Sequence, residues 1–177
     1  MPPDEIELAV SYLGGVVRQE KLGLGWAGLQ AADAVAAPGT GLFDADAEPP
    51  ETGVELAELD ATLERIARTT GKGSADARRR LLRELLARLG NDERQFLFGL
   101  VMGELRQGAL DALVIEAVAR AAGLPANDVR RAVMLTGDLP HVARAALIEG
   151  AAGLARFSVQ LFQPLLPMLA GSADSAA

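Results

Sequence analysis

The sequence predicts an all-α fold of about six or seven helices with a short extended C-terminal tail. Apolar residues recur at helical spacing along most of the chain. The helix formers Ala, Leu, Arg and Glu dominate while aromatics make up only 4%, and Gly, Pro, Asn and Asp fall where helices would stop and restart. With 177 residues and 50% hydrophobic content, the chain can bury a sizeable core, so one helical domain over residues 1–160 is expected.

Asp4 to Val17 carries Ile6, Ala9, Val10, Leu13, Val16 and Val17 on one face, with acids in the first turn where the helix dipole favours them. Gly14, Gly15, Gly23, Gly25 and Gly28 then loosen the chain. Pro38, Gly39, Pro49, Pro50 and Gly53, with interspersed acids, mark residues 38–55 as an exposed loop. Leu56, Leu59, Leu63, Ile66 and Ala67 form the stripe of a helix over 56–68, closed near Gly71. Ser74 is expected to cap a helix running to about Leu89, with Leu81, Leu82, Leu85, Leu86 and Leu89 inward and Arg78, Arg79, Arg80, Arg83 and Arg88 mostly outward.

Asn91 or Asp92 caps a helix through Val101, and another runs from near Gly108 to Ala122, stopped by Gly123. The pattern restarts after Pro125, carries Val129, Ala132, Val133 and Leu135, and breaks at Thr136-Gly137-Asp138. Leu139 or Pro140 opens a last helix to Gly150. Val159-Gln160-Leu161-Phe162 alternates as a short extended segment, and Pro164 and Pro167 exclude regular helix before the small, polar end of the chain, so 161–177 reads as a linker.

The composition excludes several function classes. There is no cysteine, which removes disulfides, thiolate metal sites and Cys nucleophiles. His141 is the only histidine, a poor start for a metal site or a triad, and reads as a surface or helix N-terminal residue. No basic leader segment and no apolar run long enough to cross a bilayer are found, so a soluble, cytoplasmic protein without a membrane partner is expected. Asp44 and Asp46 lie in the loop, where nothing fixes a catalytic separation. Trp26 and Tyr12 are too isolated to stack on single strands and read as core residues.

Net charge is −7, which as an average argues against a nucleic-acid partner. The charge is segregated, however. Residues 1–64 hold 13 acids and two basic side chains, whereas residues 65–94 hold nine basic side chains against four acids. One surface can therefore be basic.

Gly71-Lys72-Gly73-Ser74 lies between two predicted helices, where free N–H groups at a helix start, a hydroxyl and a lysine can meet an anion. It is not a P-loop, because Ala67 stands where that pattern needs its first glycine. On local sequence alone an ordinary C-cap followed by an N-cap is the plainer explanation. Gly103-Glu104-Leu105-Arg106-Gln107-Gly108-Ala109 follows the same logic: glycines permit close backbone approach while Arg106 reaches out. The plain alternative is a helix–helix turn with a solvated arginine. Arg78-Arg79-Arg80 is either a solvated face or an extension of the same positive potential. Residues 15–22 and 103–110 share Gly, Arg, Gln and Leu at a constant offset of 88, which reads as a duplication or as coincidence in a Gly- and Leu-rich chain.

Taken in order and spacing, Gly71-Lys72-Gly73-Ser74, the Gly103–Ala109 segment, Met134-Leu135-Thr136-Gly137-Asp138-Leu139 and Pro167-Met168-Leu169-Ala170 resemble the N-terminal domain of ATP-dependent DNA ligases of the bacterial, actinobacterial type. Arg18-Gln19 and Leu24-Gly25-Trp26-Ala27 also look like that group, so the resemblance covers nearly the whole chain. It implies a helical DNA-binding domain that contacts the backbone and minor groove of nicked duplex DNA. It also implies a nucleotidyltransferase domain and an OB-fold domain in the same parent chain, for nick sealing in replication, repair or recombination. By resemblance, Gly103, Arg106, Gly108 and Ala109 fall in the DNA-contacting loop, with Lys72 and Arg18 near phosphates. Glu104 occupies a position that is basic in some relatives.

The same resemblance implies ATP and magnesium for the parent ligase and no cofactor in this chain. Ligases of this kind carry an adenylated lysine in Lys-x-Asp-Gly. The only lysines here, Lys21 and Lys72, are not followed by x-Asp-Gly. The expectation is an excised or isolated DNA-binding domain that cannot itself ligate. The alternative from another class is a helical protein-interaction or regulatory module that works through its acidic N-terminal surface.

Overall fold

The computed structural model describes residues 2–19, 21–36, 53–105, 108–162 and 165. Among them are eight helices: α1 (Pro3–Leu13), α2 (Trp26–Ala36), α3 (Leu56–Arg68), α4 (Ser74–Leu86), α5 (Asn91–Met102), α6 (Gly108–Ala122), α7 (Ala126–Thr136) and α8 (Leu139–Leu154). No strand occurs among the described residues, so the fold is all-α as expected. The helices gather into two compact units, residues 1–110 and 111–177.

The helix absent from the sequence reading is α2, which follows directly on the glycines read as a loose segment. Its buried face is made by Leu29 and the small Ala32, so it lacks the leucine stripe that marks α3 and α4. Ala-rich sequence still favours the helix despite Gly28. A charged clamp replaces the missing apolar face: buried Asp33 pairs with buried Arg94 of α5.

The core of the first unit is aliphatic. Leu29, Leu63, Ile66, Leu82, Leu86, Leu97 and Leu100 are essentially sealed from solvent, each worth about 1.5–3 kcal/mol of burial. Arg88 reaches from the turn after α4 to Glu58 on α3, donating from Nη2 to Oε2 at 2.9 Å, and holds the exposed Glu58 carboxyl below its usual range.

In the second unit α7 packs on α8 through Val129, Ala132, Val142 and Ala146. Asp138 caps α8, its carboxylate accepting the His141 N–H at 3.0 Å, and Arg130 ties α7 to Glu116 of α6 at 2.7 Å. His141 is exposed, as the sequence suggested, with its ring edge-on to Phe157. Past a break at Gly150, where the sequence reading ended the helix, α8 continues to Leu154. Residues 157–160 carry no regular structure. Leu161 and Phe162 form an exposed turn, so the Val159–Phe162 alternation does not make a strand. Of the expected loop 38–55, residues 38–52 lie outside the described residues, as do Asp44, Asp46 and Pro167-Met168-Leu169-Ala170.

Two further expectations change. Trp26 is 43% exposed rather than buried, because it stands at the first position of α2; its ring meets Phe98 edge-on. The cap of α5 is Gly90, whose N–H is accepted by the Glu93 side chain at 2.8 Å, leaving Asn91 and Asp92 inside the helix.

Candidate nucleic-acid interface

Gly71-Lys72-Gly73-Ser74 turns the chain from α3 into α4. Gly71 and Gly73 take φ of +90° and +80°, a conformation in which an L side chain is strained, and open space surrounds both. Gly73, not Ser74, is the N-cap. Ser74 is the first helical residue, its N–H donating to the Gly71 carbonyl at 3.2 Å. No side chain caps α4, which leaves the Ala75 and Asp76 N–H groups without an intrahelical partner near exposed Lys72. This is the geometry that an anion can use.

The arginines that follow have separate fates. Arg78 lies on the buried stripe of α4 with Leu82 and Leu85. Its Nε and Nη2 donate to the Thr69 carbonyl at 2.9 and 2.7 Å, and its Nη1 crosses the face of Gly23, where a Cβ would stand 2.3 Å away. It fastens the Gly23 segment and the end of α3 to α4. Arg79 pairs with Asp76. Arg80 is exposed, with no hydrogen-bond or ion-pair partner among the described residues, and alone of the three points freely outward.

The two segments offset by 88 residues close their helices in the same way. Gly15 (φ +73°) and Gly103 (φ +72°) both take the left-handed conformation. At the first, Gly15 N–H donates to Tyr12 and Val16 N–H to Ser11. At the second, Gly103 N–H donates to Leu100 and Glu104 N–H to Gly99. Two residues after each glycine an apolar side chain, Val17 or Leu105, packs on the same core. Each is followed by arginine, Arg18 or Arg106. Arg106 and the Ala109 side chain lie outside the described residues; Gly108 and Ala109 open α6.

Arg18 is half exposed and faces Asp60 of α3, with Nη2 3.6 Å from Oδ2. Asp60 Oδ1 accepts from the Tyr12 hydroxyl at 2.9 Å and from Gln19 Nε2 at 3.0 Å. Burial, then these contacts with Asp60, push the Tyr12 phenol well above its ordinary range. Sequence reasoning did not single out Asp60, one acid among thirteen in the first 64 residues. Arg78 was legible in principle, since positions 78, 82, 85 and 89 share one helical face.

Residues 40–119 match the family described as DNA ligase N terminus. Along nearly its whole length the chain is 52% identical to a probable DNA ligase of Anaeromyxobacter dehalogenans (strain 2CP-C), covering 98% of this chain and 32% of that protein. These matches liken the chain to DNA ligases, and its residues 40–119 to the DNA ligase N terminus. A probable DNA ligase of Sorangium cellulosum is 45% identical over 97% of the chain and 30% of its own length. One of Rhodococcus jostii is 42% identical over 99% and 32%. The chain thus spans about a third of the length of these relatives. Among the described residues no three His, Cys, Asp or Glu side chains are grouped so as to hold a metal ion. No helix among the described residues is long and apolar enough to cross a membrane.

Proposed function

We propose that this chain is the DNA-binding domain of an ATP-dependent DNA ligase. In this reading it grips the backbone and minor groove of nicked duplex DNA while nucleotidyltransferase and OB-fold domains of the parent chain seal the nick in replication, repair or recombination. The observation that carries the reading is the Gly71–Ser74 turn: two left-handed glycines, exposed Lys72 and an uncapped α4 N-terminus meet in a segment similar to the DNA ligase N terminus. Lys72, Arg18 and Arg106 contact phosphates. Gly71, Gly73, Ser74, Gly103, Gly108 and Ala109 bring the backbone close to the strand. The net −7 is no obstacle, since the acids are concentrated in the first 64 residues.

The test is fluorescence anisotropy with nicked and intact duplexes over a salt series. Binding that weakens linearly in log salt supports the reading. No binding to either duplex at low salt would shift the case to a protein-interaction module. That second reading has one observation of its own. A groove of about 520 Å³ between α1, α3 and α5 is lined almost wholly by apolar side chains, with Leu13 and Phe96 exposed at it and Asp92 and Glu93 among its lining residues.

A further inference from the structure

Arg18 follows a helix close that matches the one preceding Arg106, and it faces a carboxylate fixed from two sides. Asp60 is 15% exposed and held rigidly, because Oδ1 receives both the Tyr12 hydroxyl and the Gln19 amide. Its second oxygen looks towards Arg18 across 3.6 Å, beyond the usual N–H···O range. The guanidinium is therefore drawn to one orientation by charge without being consumed by hydrogen bonds. Its side chain stays 53% exposed, with most of its donors open. Gln19 is itself buried and its Oε1 has no partner among the described residues, so its side chain is held in place by the hydrogen bond that Nε2 donates to Asp60.

We propose that Asp60 is a positioning residue for the DNA grip: it fixes the Arg18–Gln19 corner so that the Arg18 guanidinium meets a phosphate already oriented. The proposal rests on the DNA-binding reading. It also makes a claim against simple charge counting. A carboxylate this near a phosphate-binding arginine lowers the local positive potential, so removing it would strengthen DNA binding if Asp60 did nothing else.

The sign decides the matter. Asp60→Asn keeps an Oδ1 that accepts from Tyr12 and Gln19 but turns an amide, not a carboxylate, towards Arg18. In the 177-residue chain the expected result is a roughly twofold to fivefold loss of nicked-duplex affinity, the scale of a half-exposed ion pair, with an unchanged unfolding midpoint. In an Arg18→Ala background, where only the charge effect is left, the same substitution is expected to leave binding equal or slightly tighter. Equal or tighter binding by Asp60→Asn, or an equal loss with and without Arg18, overturns the proposal. Should Asp60→Asn fail to fold, Arg18→Ala alone still decides: unchanged affinity and salt slope overturn it. A wild-type chain that binds no duplex sinks the DNA-binding reading itself, which is a different outcome from a wild type that binds and a variant that does not respond.

Discussion

Asp33 on α2 and Arg94 on α5 meet at 3.1 Å with side chains only 10% and 5% exposed. Arg94 also donates from Nη2 to Asn91, while its Nε is buried without a partner. A pair this dry is not a large net source of stability, but removing one member strands the other charge in the interior. Asp33→Ala is expected to lower the unfolding free energy by about 3–5 kcal/mol in urea denaturation. Replacing both residues with leucine should cost far less. A single-variant loss below about 1 kcal/mol would mean that water screens the pair.

Gly23 and Arg78 are coupled in a different way. Alanine at Gly23 meets two obstacles, a φ of +63° and an Arg78 nitrogen at 2.3 Å that is anchored to the Thr69 carbonyl. Alanine at Gly73 meets only the first, since nothing lies near its Cβ. Gly73→Ala should therefore cost about 1–2 kcal/mol of stability. Gly23→Ala should cost about 1–3 kcal/mol more, for the displaced charged hydrogen bonds. In an Arg78→Ala background the two glycine substitutions should become equal. Persistence of the difference there would refute the coupling.

These relationships explain how far the sequence could be read. Helices α3, α6 and α7 were legible because leucine and valine stripes end at capping or breaking residues, as at Gly123 and Gly137. Helix α2 was not. Its burial rests on Leu29, Ala32 and an ion pair whose partner lies 61 positions away, and no local period reports that. In the candidate site the glycine turns stood out, since left-handed backbone demands a residue type. The roles of Arg78 and Asp60 did not, because both depend on side chains from other elements, and a run of three arginines looks uniform until the fold sends one inward.

Tyr12 supplies a pH prediction, and as the only tyrosine it gives an unambiguous signal. Burial, with help from Asp60, raises its pKa in the folded state above the unfolded value of about 10. The folded chain then holds the proton more tightly. The associated stability is complete below about pH 10 and is lost as pH climbs from there towards the folded-state value. The tyrosinate absorbance should stay absent through pH 10 in the folded chain and appear with unfolding. Tyr12→Phe should show a flatter decline in stability between about pH 10 and 11.5. A phenol titrating near pH 10 with the fold intact would contradict this.

Arg106 offers the sharpest test of the phosphate contacts, because its segment repeats the close seen at Gly15 and carries Glu104 two positions before it in the sequence. If Arg106 and Lys72 each neutralise one phosphate, Arg106→Ala should weaken duplex binding by about 1–2 kcal/mol and make the slope of log affinity against log salt shallower by about one. Lys72→Ala should act alike and equally on all sequences, as a backbone contact does. Arg78→Ala serves as the contrast. Its guanidinium is committed to Thr69, so it should lower stability while leaving the slope for the folded fraction unchanged. An unchanged slope for Arg106→Ala would remove that residue from the interface, and a changed slope for Arg78→Ala would place it there.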